Sequence, residues 1–208
     1  MSVVLLEPPR PENTNRFEEV VNAPLSACLF TGYIASVLRK NNIEPEIVNA
    51  NLYDWSIEKT ITEVSKRKCS LLCVHIVYQW ERTRDVFDML STLRTMEFAA
   101  HINLFGYYPT FAYNKILMDF PFIDSVTVGE PEVTTLDLAK HILSEKRNSA
   151  EILMSNRLMK GDKNTPPCPP LAKGGNGGVR NLFSDGINIP GLAFRDTNGK
   201  IVFNPRPP

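Results

Sequence analysis

Few side chains in this sequence are of a type and in a place to do chemistry, and His75 is the foremost. It lies within an almost unbroken apolar run, 71–78, of the kind that forms a central strand covered on both faces. An imidazole near the end of such a strand is ordinarily a hydrogen-bonded wall residue, and more rarely a metal ligand. Tyr78, Trp80, Tyr107 and Tyr108 fall near predicted strand ends too, where they serve either rim packing or as a wall for a flat ring. Cys69 and Cys73 have no second pair or nearby histidine to complete four metal ligands, so buried reduced thiols are expected. His101 and His141 read as structural or solvated. Asp119 and Asp124 form no evident pair, and no Ser/His/Asp order stands out.

The elements that must position these groups follow from periodicity. Val3-Val4-Leu5-Leu6 is a first strand, stopped by Glu7-Pro8-Pro9 because proline cannot continue a central ladder. Leu29, Tyr33, Val37 and Leu38 recur at helical spacing, and a second strand follows at 46–50. Ser56 caps a helix striped by Ile57, Ile61 and Val64. After the 71–78 run, Val86, Leu90 and Leu93 line a third helix. Strands at 102–105 and 125–128 end at Gly106 and Gly129, with a short helix around Ile116 between them. Pro131 opens the last helix, with Leu136, Ala139 and Leu143 inward.

Strand and helix alternate about five times with short connections, which predicts an α/β fold. The expected architecture is a flavodoxin- or Rossmann-like, doubly wound, five-stranded parallel sheet in the order 2-1-3-4-5. Residues 1–147 make up this domain. A Pro- and Gly-rich insertion, expected to be flexible, occupies 148–186. Within 187–208, alternating strands around Asp196-Thr197-Asn198-Gly199 predict a small β-hairpin, followed by a linker-like Pro-rich tail.

The totals narrow the function classes. In 208 residues, Lys plus Arg and Asp plus Glu both count 23, so no basic surface calls for nucleic acid or an anionic membrane. No run approaches the roughly 18 apolar residues of a membrane span, and no signal peptide leads the chain, so a cytoplasmic location is expected. In an open parallel sheet of this order, ligands bind beyond the carboxyl ends of the strands, at the crevice between strands one and three. Loops 7–10, 75–80, 106–110 and 129–132 meet there. Neither a Gly-x-Gly-x-x-Gly after strand one nor a phosphate-binding P-loop is present.

Several segments, in order, resemble B12-binding radical-SAM proteins. They are Val3-Val4-Leu5-Leu6-Glu7-Pro8-Pro9, then Gly32-Tyr33-Ile34-Ala35-Ser36-Val37-Leu38-Arg39, and Phe105-Gly106-Tyr107-Tyr108-Pro109-Thr110. Val128-Gly129-Glu130-Pro131-Glu132-Val133-Thr134 and Ile189-Pro190-Gly191-Leu192-Ala193-Phe194-Arg195 complete the set. The resemblance implies a cobalamin-binding module whose corrin ring lies against the strand ends, with its tail alongside the sheet. The residues implied in cofactor binding are Glu7, Pro8, His75, Ile76, Val77, Tyr78, Gly106, Tyr107, Tyr108, Thr110, Gly129 and Glu130.

The chain departs from the wider pattern at two places. The Asp-x-His-x-x-Gly motif, which supplies an axial histidine in methionine-synthase-like domains, has no counterpart after strand one, so no histidine ligand comes from that loop. The second place of a common Gly-Gly pair is Tyr107, a side chain that would crowd the tail. The Cys-x-x-x-Cys-x-x-Cys motif is absent as well. The 4Fe-4S cluster and S-adenosylmethionine would therefore belong to a radical-SAM domain missing from this chain, joined in cis or in trans, and no catalytic residue is expected here. An alternative is a degenerate B12-type domain that contacts substrate or a partner without corrin. A response-regulator receiver fits the fold but not the residues, because Glu7 with prolines and Val77-Tyr78 stand where its acidic groups are needed.

Overall fold

The computed structural model describes residues 2–9, 29–77, 83–160 and 187–207, with only the backbone of 146–160. Its strands are β1 (Val3–Glu7), β2 (Pro45–Asn49), β3 (Leu71–His75), β4 (His101–Phe105), β5 (Ser125–Thr127), β6 (Leu192–Arg195) and β7 (Ile201–Phe203). The helices are α1 (Leu29–Lys40), α2 (Ile57–Ser65), α3 (Thr83–Thr95), α4 (Tyr107–Asp119) and α5 (Pro131–Lys160). They build one seven-stranded sheet in the order β2-β1-β3-β4-β5-β6-β7. The first five strands are parallel and in the expected order.

The C-terminal hairpin forms where its turn chemistry places it. Asp196 Oδ1 accepts from the Asn198 and Lys200 amides at 2.9 and 2.8 Å, and Gly199 takes the positive φ of 78°. It is not a separate appendage, however. β6 pairs antiparallel with β5, matching Val126 to Ala193, and so covers an edge that a five-stranded sheet would leave open. The Arg195 guanidinium fastens this junction by donating to the carbonyl oxygens of Leu117, Phe120 and Ile123 at the end of α4.

Strand alternation sends side chains to two cores. Val4, Leu6, Leu72, Val74, Ile102 and Leu104 meet α2, α3 and α4 on one face. Val3, Leu5, Leu71, Cys73 and Phe105 meet α1 and α5 on the other. β1, β3 and β4 are buried throughout, as both-face coverage requires.

Three elements differ in detail from the sequence expectation. In α1 the buried stripe is Thr31, Ile34, Ala35 and Leu38, whereas Leu29 and Tyr33 are about half exposed. Two apolar series overlap on this helix, and the one with the smaller side chains faces the sheet. α4 is longer than expected and begins at Tyr107, so 107–110 are its first turn rather than a loop. α5 continues to Lys160, past residue 147, and residues 161–186 of the expected insertion lie outside the described residues. No helix among the described residues is long and apolar enough to cross a membrane.

Candidate functional site

Glu7 is the last residue of β1 and His75 the last of β3, neighbouring strands that place both side chains on the α1 face. His75 Nδ1 lies 2.8 Å from Glu7 Oε1 and 3.0 Å from Oε2. The two residues are 2% and 1% exposed. A carboxylate so deeply buried requires hydrogen bonds to be tolerated. Thr31, in the first turn of α1, supplies a further one by donating to Glu7 Oε1 at 2.5 Å. The positive end of the α1 dipole also favours an anion there.

The imidazole is held from its flat sides as well as its edge. It stacks on Phe105, its register partner on β4, with centroids 4.9 Å apart and planes 8° from parallel. Phe30 approaches edge-on at 5.8 Å and makes a second edge contact, at 5.5 Å, with Tyr107. Nε2 of His75 is buried and has no hydrogen-bond partner among the described residues.

Around this pair the strand ends are tied together by backbone. The Ile76 amide donates to Phe105 O at 2.9 Å, and the Tyr108 amide to Val77 O at 3.2 Å. Gly106 makes this closeness possible, since a Cβ there would stand 2.3 Å from Ile76 O, at a φ of 117° that L side chains avoid. Thr110 links the two outer loops. Its hydroxyl donates to Gly106 O at 2.7 Å and accepts from the Gly129 amide at 3.0 Å.

The residues implied in cofactor binding thus divide into groups. Glu7 and His75 form one unit, while Ile76, Val77, Gly106 and Tyr108 form a second through the main chain. Thr110 and Gly129 form a third. Pro8 is buried directly after β1, Tyr107 is half exposed over the crevice, and Glu130 is exposed with Arg206 3.7 Å away. Tyr78 and Trp80 lie outside the described residues. Burial raises the Tyr108 phenol above its ordinary pKa, so it remains protonated at neutral pH. A hollow of about 280 Å³ opens beside the site, lined by Pro9, Ala50, Asp54 and Trp55 among others. A larger one, about 470 Å³, lies at the opposite end of the strands between Cys69 and Ala100.

Sequence reasoning marked Glu7 and His75 separately but missed Thr31 and Phe30. One available signal was Glu7 itself, an acid closing an apolar strand. It also missed a polar cluster beneath α5. His101 Nε2 lies 2.8 Å from Ser125 Oγ, which donates to Asn103 Oδ1, and Asn103 Nδ2 donates to Thr127 Oγ1. With Asp124 4.0 Å from His101 Nδ1, this has the membership of a catalytic triad. Ser125 is fully buried, however, so the cluster cross-links β4 and β5 and meets no substrate. Cys69 and Cys73 are buried and divided between the two faces, so they share no metal. No group of three or more His, Cys, Asp or Glu side chains suited to a metal ion occurs among the described residues.

No protein-family model matches the chain, and no curated protein does. Solved structures do match. The chain is similar to the cobalamin-dependent S-adenosylmethionine radical enzyme OxsB, in a structure with aqua-cobalamin and S-adenosylmethionine bound. That match has a TM-score of 0.61 and 16% identity, over 100% of this chain and 22% of the enzyme. It is also similar to the radical S-adenosylmethionine methyltransferase TsrM from Kitasatospora setae, with cobalamin and a 4Fe-4S cluster bound. There the TM-score is 0.63 and the identity 16%, over 99% of this chain and 29% of that one. The chain therefore spans less than a third of either enzyme's length. At this identity the likeness is one of fold, and it falls on the group of proteins that the ordered loops resemble.

Proposed function

We propose that this chain is the cobalamin-binding module of a radical-SAM enzyme whose catalytic domain is supplied in cis or in trans. The observation that carries the reading is the Gly106 cradle, which draws the ends of β3 and β4 together beside the β1–β3 switch point. The fold shared with cobalamin-dependent enzymes supports it. The residues present fit a flat macrocycle. Glycine keeps side chains off the strand ends, and a buried imidazole retains one nitrogen without a partner among the described residues.

Glu7, Pro8, His75, Ile76, Val77 and Tyr78 would hold the cofactor from the β1 and β3 side. Gly106, Tyr108, Thr110, Gly129 and Glu130 would hold it from the β4 and β5 side, with Tyr107 lining the same edge and crowding the tail. When bound, the corrin would supply its cobalt for the transfer chemistry. This chain's own residues would hold and orient the ring and shield one face of it from water. The sequence lacks the three-cysteine motif, so a 4Fe-4S cluster and S-adenosylmethionine belong to the partner domain in this reading.

One contact favours a second reading, an interaction module that binds substrate or partner without corrin. Tyr107 leans on Phe30 across the crevice, where a nucleotide tail would run. Titrating the purified chain with hydroxocobalamin and methylcobalamin decides between the two. A changed visible spectrum, with cobalt retained through desalting, is expected for the cofactor module. An unchanged spectrum with no retained cobalt overturns it in favour of the interaction module.

A further inference from the structure

The tail beyond β7 turns one long cation inward. Pro205 and Pro207 are exposed, whereas the Arg206 side chain between them is 31% exposed. Each proline fixes its own φ, so the tail has little backbone freedom to lose in this arrangement. Asn204 ties its start to the hairpin. The Asn204 amide donates to Leu192 O at 3.0 Å, and its carbonyl oxygen accepts from the Gly191 amide at 2.7 Å. Its side-chain amide donates to Ile187 O at 3.0 Å.

The guanidinium lies in a slot framed by two glycines, Gly129 after β5 and Gly191 before β6, both at a φ of 82°. A Cβ on Gly191 would stand 2.7 Å from Arg206 Nε and 2.6 Å from Thr134 Oγ1. One on Gly129 would stand 3.8 Å from Nη1. Nη2 donates to Thr134 Oγ1 at 3.1 Å, and that hydroxyl donates to Pro190 O at 2.6 Å. Glu130, 3.7 Å from Nη1, is 90% exposed, so solvent screens its attraction. Charge does not account for the placement, because the slot opens at the positive end of the α5 dipole. The flat shape of the guanidinium and its hydrogen bond to Thr134 hold it there.

The two glycines also lead to the crevice. The Val128 amide donates to Gly191 O at 2.8 Å, and the Gly129 amide to Thr110 Oγ1 at 3.0 Å. Thr110 donates in turn to Gly106 O. A single hydroxyl therefore separates the loop under Arg206 from the Gly106 cradle.

We infer that residues 204–207 are a strap, and that Arg206 is the positioning residue by which it holds the 128–130 loop as the β5-side wall of the crevice. The strap stands on the contacts above, while its effect on cofactor affinity rests on the cobalamin reading.

The test compares the full chain with Arg206→Ala and Arg206→Lys by hydrogen exchange resolved to single amides. In Arg206→Ala the Gly129 and Gly191 amides are expected to exchange about tenfold faster, as for loss of one hydrogen bond from a charged donor. The amides of β1, β3 and β4 keep their protection. Arg206→Lys behaves like the alanine variant, since an ammonium is no flat plate, and it serves alone should that variant not fold. Guanidinium chloride at about 50 mM, far below denaturing concentrations, restores protection in Arg206→Ala, and methylammonium chloride does not. Affinity for hydroxocobalamin, read from the visible spectrum, falls and recovers in parallel.

Unchanged exchange at Gly129 and Gly191 in folded Arg206→Ala overturns the inference. A uniform rise that includes β1, β3 and β4 overturns it as well, because Arg206 then serves global stability. Full protection in Arg206→Lys, or rescue by both ions or by neither, overturns the assignment to a planar slot. Faster exchange with unchanged cobalamin affinity overturns the link to the crevice. If the wild-type chain retains no cobalamin, the cofactor reading fails by itself, since exchange and its rescue read the strap without a ligand.

Discussion

Across 68 residues of sequence, His75 Nδ1 meets Glu7 Oε1 at 2.8 Å inside the carboxyl end of the sheet. Removing one member of such a buried pair strands the other, at a cost of about 3–5 kcal/mol. Glu7→Ala is therefore expected to lower the urea midpoint strongly. Glu7→Gln, which keeps an acceptor for Nδ1–H, costs about 1 kcal/mol. The double replacement Glu7→Leu with His75→Phe restores most of the loss, because an apolar pair of similar volume needs no partners. Equal midpoints for Glu7→Ala and wild type would show that the pair carries no such energy.

Gly106 is a position where backbone and space agree. A Cβ would press to 2.3 Å from Ile76 O, at a φ of 117°. Gly106→Ala is expected to cost about 2–4 kcal/mol from strain and displaced loops. Chemical denaturation measures it, and an unchanged midpoint would mean that the β3 and β4 ends separate freely.

Tyr107 stands over the crevice and is held by its edge contact with Phe30. Such a ring pair is worth about 0.5–1.5 kcal/mol, so opening it weakens cobalamin binding by up to about tenfold. Tyr107→Ala should bind hydroxocobalamin that much more tightly with little loss of stability. Unchanged affinity in the titration would mean that the ring does not obstruct the cofactor.

Burial pushes the Cys73 thiol from its ordinary 9.0 up to about 12, with the Asn103 amide partly opposing the rise. The unfolded chain then gives up the Cys73 proton at a lower pH than the folded one. Its contribution to stability is complete below pH 9 and lost as pH rises from there toward 12. The slope is at most about 1.4 kcal/mol per pH unit. Urea midpoints between neutrality and pH 10.5, compared with Cys73→Val, isolate this share. Parallel curves for the two proteins would contradict it. Alkylation of Cys73 in native protein at neutral pH should also be negligible.

Much of the architecture was legible locally. The apolar runs of β1, β3 and β4 read as strands covered on both faces, and Asn198-Gly199 placed the hairpin turn. Ser56 capped its helix as its type requires, accepting from the Lys59 amide. The phase of α1 was not legible, because Leu29 and Tyr33 compete with Ile34 and Ala35 and only packing decides between them. Nor was the joining of β6 to β5, since a strand's own pattern does not name its neighbour.

The sequence by itself determined the alternation of strands and helices, the crevice at their carboxyl ends and the ordered loops around it. Periodicity and turn chemistry are short-range, and each acts within a few residues. Only the tertiary structure decided that Glu7, Thr31 and His75 form one buried unit with a nitrogen left open. That arrangement depends on adjacency of β1 and β3, on the rotation of α1 and on exclusion of water, which arise only when the sheet closes under its helices.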